Sequence, residues 1–341
     1  MNPAEWLHRT ALREGARPAL TSGDQVVMDY SGFRDAAARF GAGLMARGVS
    51  RGDRIAIFMG NRIEYLITFY GVWFAGGAAV PINAKLHPTE AQWIIENAGA
   101  AMTLTDDKLG QALAEPSVSV DGSDWDALML FDPMARPDIL DADDMVWLFY
   151  TSGTTGKPKG VMITCGNIAA MTHSYFIDVD DVLPEDAILY AAPMSHGAGL
   201  YNFMHVIRGA RHVVPDSGGF DPCEILVLGR SVGSISMFAA PTMVRRLVDH
   251  AKATGQTGEG LRTITYAGGP MYEADILDAV ETMGARFVQI YGQGECPMGI
   301  TALSRHDLAD RIHPRWRARL NSVGTAQNAV LVHIFDETGV E

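Results

Sequence analysis

The feature that most constrains the fold of this chain is an alternation of short apolar runs with helix-like segments. Between residues 54 and 105 the pattern predicts strand, helix, strand, helix and strand, with the strands at 54–59, 78–82 and 101–104. Strands that are joined through helices run parallel in one sheet, and the helices cover its faces. The pattern therefore predicts an α/β fold with a doubly wound, largely parallel sheet.

A second alternating part follows an irregular stretch. Residues 106–144 are acidic, contain several prolines and lack periodicity, so they are predicted to be a linker. Alternation resumes over residues 145–315, and an apolar run within 316–341 predicts the start of a small β-rich part. The expected architecture is thus two doubly wound βα subdomains, 1–105 and 145–315, plus that β-rich start.

Composition narrows the classes of function. The net charge of −13 disfavours nucleic-acid binding, because affinity for a phosphate backbone comes from Lys and Arg. Three cysteines without metal-type spacing indicate a reducing, cytoplasmic location. The uncharged segment 65–84 is divided by glycines and Pro81, so we expect a buried helix and strand there and no membrane span.

A dense glycine, hydroxyl and lysine segment, 150–160, directly follows the apolar run 145–150. Such a loop can bring backbone N–H groups and hydroxyls close to phosphate oxygens, while lysines neutralise the phosphate charge. It is not the common nucleotide loop G-x-x-x-x-G-K-[ST], since Thr151 stands at the first glycine position and Pro158 at the final Ser/Thr position. The segment still predicts a phosphate-binding loop.

Segment 150–160 closely resembles the phosphate loop of the adenylate-forming superfamily, which includes acyl-CoA and aryl-CoA synthetases, firefly luciferases and peptide-synthetase adenylation domains. Three later segments resemble further motifs of this family in the family's order: 193–199 its "P-x-x-H-x-x-G", 267–271 its adenine-side glycine turn, and 291–295 its "Y-G-x-T-E". The resemblance covers essentially the whole chain. It implies ATP or AMP, Mg²⁺, coenzyme A as co-substrate and a fatty or aryl carboxylic acid.

The resemblance also implies roles in binding the nucleotide. Glu295 would hold Mg²⁺, because this hard cation takes oxygen ligands. Tyr291 would face the adenine, opposite the glycine turn. The residues implied in the nucleotide site are Thr151, Ser152, Gly153, Thr154, Thr155, Gly156, Lys157, Lys159, Gly268, Gly269, Pro270, Tyr291, Gly292, Gln293 and Gly294.

On the acid side, the resemblance makes His196 an aromatic gate near the carboxylate and the acyl-phosphate, and it is grouped with Glu295 and Lys159 as the catalytic set. The walls of the acyl pocket are predicted by position. They are Tyr201, Asn202, Phe238, Ile290 and Met298. This mostly apolar set favours a fatty or aryl acid over a dicarboxylate.

Two features depart from the family pattern. Gly294 stands where the family has threonine, which removes a hydroxyl expected near the α-phosphate or the carboxylate. The chain also ends at Glu341, before the family's "Y-R-T-G-D" motif and before the C-terminal domain whose lysine assists adenylation. We therefore expect an incomplete N-terminal AMP-binding domain that binds nucleotide weakly and catalyses poorly.

The predicted function is that of an ATP-dependent acid–CoA ligase, which forms acyl-AMP and pyrophosphate and then acyl-CoA. An acyl-AMP ligase that loads a carrier protein is the alternative within the family. A phosphotransferase or ATPase that releases ADP or phosphate is the alternative from another class. The sequence leaves open which acid is used and whether the chain forms a homodimer.

Overall fold

The structure is a computed structural model that describes residues 1–151 and 157–341. Its strands, in chain order, are β1 (Pro18–Ser22), β2 (Gln25–Asp29), β3 (Arg54–Phe58), β4 (Ala78–Pro81), β5 (Ala100–Thr105), β6 (Val118–Ser119), β7 (Met145–Thr151), β8 (Lys159–Thr164), β9 (Ala187–Leu189), β10 (Arg211–Val214), β11 (Ile235–Ala239), β12 (Leu261–Tyr266), β13 (Phe287–Gln293), β14 (Cys296–Leu303) and β15 (Thr325–Ala326).

The α-helices are interleaved with these strands. In chain order they are α1 (Ala4–Glu14), α2 (Tyr30–Ala46), α3 (Ile63–Phe74), α4 (Pro88–Ala98), α5 (Asp107–Gly110), α6 (Ser123–Leu128), α7 (Cys165–Ser174), α8 (Gly197–Leu200), α9 (Asn202–Arg208), α10 (Pro222–Val232), α11 (Pro241–Thr254), α12 (Glu273–Met283), α13 (Arg305–Ala309) and α14 (Trp316–Leu320). Helix α7 continues into a π-helical turn at Tyr175–Val179.

One sheet has six strands in the order β6-β5-β3-β4-β7-β8. Its strands are parallel from β6 to β7, and only β8 runs antiparallel, as the second arm of a hairpin with β7. The parallel pairing follows from the sequence, since α3 and α4 provide the crossovers between β3, β4 and β5.

The other sheet has nine strands in the order β15-β14-β13-β12-β11-β9-β10-β1-β2. Its centre, from β13 to β1, is parallel. At the two edges the pairing is antiparallel, between β1 and β2, between β13 and β14, and between β14 and β15. The α/β fold class with largely parallel sheets is therefore confirmed.

Helix α3 lies in the largest apolar core, which holds residues from helices and strands of both sheets. Trp73 of α3 lies 5.3 Å from Phe203 of α9, and Phe69 of α3 lies 4.6 Å from Trp147 of β7, between ring centroids. Residues 65–74 are buried, so the uncharged segment forms the buried helix and strand that were predicted. In the part of the chain that the structure describes, no helix combines the length and the apolar character needed to span a bilayer.

The sheets do not divide the chain at the predicted boundaries. Strands β1 and β2 lie within 1–105 but pair into the nine-stranded sheet, and β7 and β8 lie within 145–315 but extend the six-stranded sheet. The reason is the pairing of β1 with β10 and of β4 with β7, which are contacts between distant residues that periodicity does not reveal. Within the predicted linker 106–144, β6 pairs with β5.

The C-terminal segment also differs from the expectation. The predicted β-rich start at 316–341 contains α14 and the short strand β15, whereas residues 330–335, all of which the structure describes, are not in a strand. Leu331 and Ile334 are exposed there. An apolar run with high strand propensity pairs only when a neighbouring strand edge meets it, and here none does.

Candidate functional site

The family-like segments follow the carboxyl ends of neighbouring parallel strands. Segment 267–270 follows β12, segment 291–295 ends β13, and Phe238 lies near the end of β11. Strands β11, β12 and β13 are adjacent and parallel, so these ends share one edge of the nine-stranded sheet. His196 follows β9, which pairs with β11 on the other side. Parallel topology therefore brings together segments that are far apart in the chain.

Gly294 and Glu295 form a tight turn between β13 and β14, with Gln293 opposite Cys296. The turn leaves the Glu295 side chain exposed. Among the described residues, its carboxylate has no hydrogen-bond or ion-pair partner. An exposed carboxylate without a cationic neighbour suits a hard cation. Glu295 lines a cavity of about 150 Å³ together with Asn167, Ser174 and Cys296.

Gly294 packs directly against the strand that leads into the phosphate-loop segment. A Cβ at this position would overlap Thr151 Cγ2 and would lie 3.2 Å from Phe149 Cδ1. The side chain that the family carries here would not fit this backbone without movement of Thr151 or Phe149. The departure to glycine therefore has a structural reason, which is close packing between β7 and the turn after β13.

His196 lies at the start of α8, beside Phe149. The two rings are edge-on with centroids 5.6 Å apart, and His196 Nδ1 lies 3.1 Å from Ser195 Oγ. Part of the imidazole surface is open to solvent, while the surrounding protein desolvates the ring and lowers the pKa of His196 below 6.5. Desolvation therefore favours the uncharged imidazole, which suits an aromatic gate beside an anionic substrate.

A cavity of about 460 Å³ opens beside Thr151 and His196. Its lining residues are Pro81, Ile82, Asn83, Leu86, Glu90, Ile94, Phe149, Tyr150, Thr151, Pro158 and His196. The structure thus brings two of the predicted site residues to one cavity. Glu295, the 268–270 turn and the predicted acyl-pocket residues do not line it.

The two predicted lysines flank the phosphate-loop segment. Lys159 opens β8 opposite Thr151, and Lys157 lies 5.6 Å from the centroid of the Trp93 ring, in cation–π contact. Both lysines are exposed. The predicted phosphate ligands Ser152, Gly153, Thr154, Thr155 and Gly156 lie outside the described residues.

The predicted adenine side is an open surface. Gly268 has φ +83°, a conformation that favours glycine, and a Cβ there would meet no described atom within 4 Å. Gly269 and Pro270 are exposed as well, and Tyr291 is 37% exposed. The Tyr291 hydroxyl accepts a hydrogen bond of 2.7 Å from Gln293 Nε2. The predicted adenine-side residues therefore lie exposed at the ends of two neighbouring parallel strands, β12 and β13.

The predicted acyl-pocket residues fall into two groups. Phe238 and Tyr201 have ring centroids 5.7 Å apart, and they belong to one apolar core with Ile290 and Met298. Asn202 differs because it is fully buried and its amide already has partners: Oδ1 accepts from the Tyr70 hydroxyl at 2.6 Å, and Nδ2 donates to Gly199 O at 2.6 Å. Asn202 is thus a structural link between α9 and α3.

Met298 has φ +60°, which is unusual for a residue with a side chain. It lies in a bulge of β14, since Tyr291 pairs with Thr301 whereas Gln293 pairs with Cys296. Gln327 holds the bulge: its buried Nε2 donates to Met298 O at 2.6 Å, and its backbone N–H donates to Ile300 O at 3.0 Å. Sequence reasoning missed Gln327, because no local pattern marks a glutamine that supports a distant bulge.

Asn61 was also missed. It lies between β3 and α3, and its side chain hydrogen-bonds to residues 190, 192 and 194, which precede His196. The signal available in the sequence was weak: a Gly60-Asn61 turn directly after a predicted strand.

Comparisons with known proteins agree with this geometry. A sequence profile of the family described as "AMP-binding enzyme" matches residues 7–341. Feruloyl-CoA synthase from Amycolatopsis sp is 30% identical over 317 residues, covering 89% of this chain and 60% of the relative. The 2-succinylbenzoate–CoA ligase of Bacillus subtilis is 31% identical over 309 residues, covering 88% of this chain and 60% of that ligase.

Among solved structures, the inhibitor-bound N-terminal domain of FACL13 from Mycobacterium tuberculosis superposes with a TM-score of 0.85 at 26% identity. The match covers 99% of this chain and 85% of that domain. The chain thus spans 60% of the length of the two curated relatives, but most of a solved N-terminal domain.

Proposed function

The chain belongs to the family of AMP-binding enzymes. We propose that it is the N-terminal part of an ATP-dependent acid–CoA ligase. The observation that carries the proposal is the packing of the turn after β13, at Gly294, against Thr151 and Phe149 of β7. This contact joins the predicted metal and adenine segment to the predicted phosphate loop. His196 adjoins the same Phe149 ring. Three of the four family-like segments thus converge around Phe149.

The proposed reaction has two steps. A carboxylate oxygen attacks the α-phosphorus of ATP, so that an acyl–O–P bond forms, the Pα–O bond to the β-phosphate breaks and pyrophosphate leaves. The thiol of coenzyme A then attacks the acyl carbon, a C–S bond forms, AMP leaves and the thiol proton passes to solvent. The first step brings the carboxylate to an anionic phosphate, and the second leaves negative charge on AMP. Both therefore require fixed positive charge and N–H donors in a sheltered site.

The nucleotide roles are proposed from position. Thr151, Ser152, Thr154, Thr155 and Lys159 would bind the β- and γ-phosphates. Support comes from Lys159, which lies opposite Thr151 in the β7–β8 hairpin, so that a cationic side chain emerges where the loop begins and ends. Tyr291 would stack on the adenine beside the open turn at Gly268.

The Glu295 carboxylate would hold Mg²⁺, which supplies charge neutralisation at the phosphates when bound. The residues present fit such an ion, because this exposed carboxylate has no partner among the described side chains. Lys157 and Lys159 lie at the loop on the other side of Gly294 and would share that neutralising role.

The acid is proposed to be aromatic or fatty. Phe238, Tyr201, Ile290 and Met298 supply apolar and aromatic surface without a charged group. Relatives named for ferulate and for 2-succinylbenzoate support an aromatic ring in the acid. His196 would close this pocket on the adenylate side and exclude water from the acyl-phosphate bond. Because the three cysteines form no disulfide among the described residues, we place the reaction in the reducing cytoplasm.

The decisive experiment is a product assay with ATP and a panel of aryl and fatty acids, with and without coenzyme A. AMP and pyrophosphate that depend on the acid, followed by acyl-CoA when coenzyme A is present, would support the ligase. Acyl-AMP that accumulates with coenzyme A and is consumed by a carrier-protein thiol would favour the carrier-loading alternative. ADP, or products that do not depend on an acid, would refute the proposal.

Binding provides an independent test with residues 1–341. Titration calorimetry should detect ATP and AMP, and the affinity for ATP should rise when Mg²⁺ is added. Glu295→Gln should remove the Mg²⁺ effect and leave AMP binding intact, whereas Glu281→Gln, at an exposed residue of α12, serves as the control. Equal Mg²⁺ effects in both variants would contradict the role proposed for Glu295.

A further inference from the structure

Asn61 lies on the loop between β3 and α3, so it belongs to the six-stranded sheet. The residues on either side of it are anchored. The Gly60 N–H donates to an Asp106 carboxylate oxygen at 3.2 Å, and the Arg62 guanidinium pairs with Glu64 at 2.7 Å and with Asp121 at 2.8 Å. The loop is thus tied to its own sheet on both sides of Asn61.

The Asn61 side chain reaches the segment that follows β9 of the other sheet. Its Nδ2 donates to Tyr190 O and to Ala192 O, both at 2.8 Å, and its Oδ1 accepts from the Met194 N–H at 2.8 Å. Within this amide only the N–H₂ group can donate, so the two carbonyl oxygens also determine which way the amide points. One side chain therefore fixes a five-residue turn at three points.

His196 follows this turn after two residues, and the chain between them has little freedom. The His196 N–H donates to Pro193 O at 3.1 Å, and the Gly199 N–H donates to His196 O at 2.9 Å. Gly199 packs against Met194 O so closely that no Cβ would fit there. A displacement of the turn would consequently be passed on to the imidazole.

We propose that Asn61 is a positioning residue, which holds His196 of the nine-stranded sheet in place relative to Thr151 of the six-stranded sheet. Thr151 ends β7 and His196 follows β9, so the two predicted site residues that line the 460 Å³ cavity come from different sheets. Asn61 joins those sheets by direct hydrogen bonds next to His196. The inference rests on the proposed function only in giving His196 a role in the reaction.

The chain offers a matched control for an effect on stability alone. Asn2 makes the same set of bonds as Asn61: its Nδ2 donates to Trp73 O at 2.7 Å and to Asp138 O at 2.8 Å, and its Oδ1 accepts from the Ala4 N–H at 2.9 Å. None of these partners belongs to the candidate site. Asn61→Ala and Asn2→Ala therefore remove equivalent hydrogen bonds, but only the first lies beside His196.

The first measurement is the NMR signal of the His196 Cε1–H in ¹³C-histidine-labelled protein, assigned with His196→Ala and followed through a pH titration. In Asn61→Ala we expect the chemical shift to change and the pKa to rise from its lowered value towards 6.5, as the ring gains solvent. In Asn2→Ala both should equal those of the unmodified protein. Unchanged His196 signals in a folded Asn61→Ala would overturn the proposal.

Asn61→Asp gives a second signature. A carboxylate can accept from the Met194 N–H but cannot donate to the two carbonyl oxygens, whereas the protonated acid can donate to one of them. The His196 signal of this variant should therefore move back towards that of the unmodified protein as the pH falls. A His196 signal that stays displaced at low pH, or one that was never displaced, would contradict the positioning role of Asn61.

Turnover adds a kinetic test that separates this inference from the proposed function. With acid-dependent AMP formation as the readout, Asn61→Ala should lower kcat/KM for the acid by about 10- to 100-fold, which is the usual cost of a misplaced group. The KM for ATP should stay unchanged. If no acid is activated but the His196 signals respond as expected, the ligase proposal fails and the positioning role stands.

Discussion

Gly294 and Thr151 are packed so closely that position 294 has no room for a side chain in this backbone. The contact joins the turn after β13 to the end of β7, and these strands lie in different sheets. The turn proposed to bind the metal is therefore in direct contact with the strand that leads into the proposed phosphate loop.

Gly294→Ala should therefore destabilise the protein and weaken ATP binding. Added atoms in a packed contact cost about 1–3 kcal/mol, and about 1.4 kcal/mol corresponds to a tenfold change in affinity. We expect the unfolding midpoint to fall and the Kd for ATP to rise. Urea unfolding and titration calorimetry measure the two effects.

The same contact predicts a rescue. Thr151→Ser removes the Cγ2 methyl group that would overlap the new Cβ while retaining the hydroxyl. The double variant should recover most of the stability that Gly294→Ala loses, so the two substitutions should be non-additive. Additive effects, or a Gly294→Ala variant as stable as the unmodified protein, would contradict the close packing.

Lys159→Gln should weaken ATP binding more than AMP binding. The lysine lies opposite Thr151 where the phosphate loop ends, so its charge is expected to act on the β- and γ-phosphates, which AMP lacks. A loss of about tenfold for ATP corresponds to one exposed charge contact. Lys252→Gln, an exposed lysine paired with Asp278 on distant helices, is the control. Equal losses for ATP and AMP would rule out this placement of the charge.

Gln327→Leu should disturb the bulge that carries Met298. Without the amide, the buried Met298 carbonyl loses the donor at 2.6 Å, and an unsatisfied buried group costs about 1–3 kcal/mol. If Met298 borders the acyl pocket, the order of preference among the tested acids should change as well. Gln111→Leu, at an exposed glutamine, should change neither property. A loss of stability without any change in acid preference would show that Met298 does not border the acyl pocket.

Acid should destabilise the protein through a buried histidine. Burial lowers the pKa of His205 to about 4, against 6.5 in the unfolded chain. Between these values only the unfolded chain binds the proton, so the free energy of unfolding should fall by about 1.4 kcal/mol for each pH unit. Above pH 6.5 neither state is charged and the effect vanishes. His212 is fully buried beside His205, and burial lowers its pKa as well, so it should contribute in the same direction.

His205→Asn isolates this effect. His205 Nδ1 must donate to Tyr201 O, which it approaches to 2.8 Å, and an asparagine amide can keep that bond without titrating. Between pH 7 and pH 5 the loss of unfolding free energy in the variant should be smaller by about 2 kcal/mol. Equal losses in urea titrations at the two pH values would show that His205 is not the group responsible.

Much of the fold follows from periodicity. The strands 54–58, 78–81 and 100–105 lie where the apolar pattern predicts them, because each segment buries one face or all of its side chains locally. The sheet partners were not predictable in the same way. Whether β7 pairs with β4, and whether β1 pairs with β10, depends on surfaces formed by residues 60 to 200 positions apart.

The residues of the candidate site also divide into those that a local motif predicts and those that depend on contacts between distant residues. Thr151, His196 and the 291–295 segment carry short motifs. Parallel topology places His196 and the 291–295 segment at one edge of the nine-stranded sheet, whereas Thr151 ends β7 of the six-stranded sheet. Asn61 and Gln327 carry no motif, because an amide that fixes a distant turn or bulge is recognised only from its partners. The hydrogen bonds of the buried Asn202 amide to Gly199 and Tyr70 were not predictable for the same reason, since the sequence gives the position of the residue and not its partners.

The path of the chain through the two sheets has a consequence for recombination. The six-stranded sheet is made from one uninterrupted stretch, 54–164, whereas the nine-stranded sheet takes its strands from both sides of that stretch. The proposed phosphate loop lies within the stretch, and the proposed acid-binding residues lie outside it. The corresponding stretch of a relative can therefore replace residues 54–164 as one continuous segment with two junctions. The proposed phosphate-loop residues would then be exchanged, whereas the proposed acid, adenine and metal residues would stay, provided that Asn61, Thr151 and Gly294 keep matching partners between the exchanged stretch and the rest of the chain.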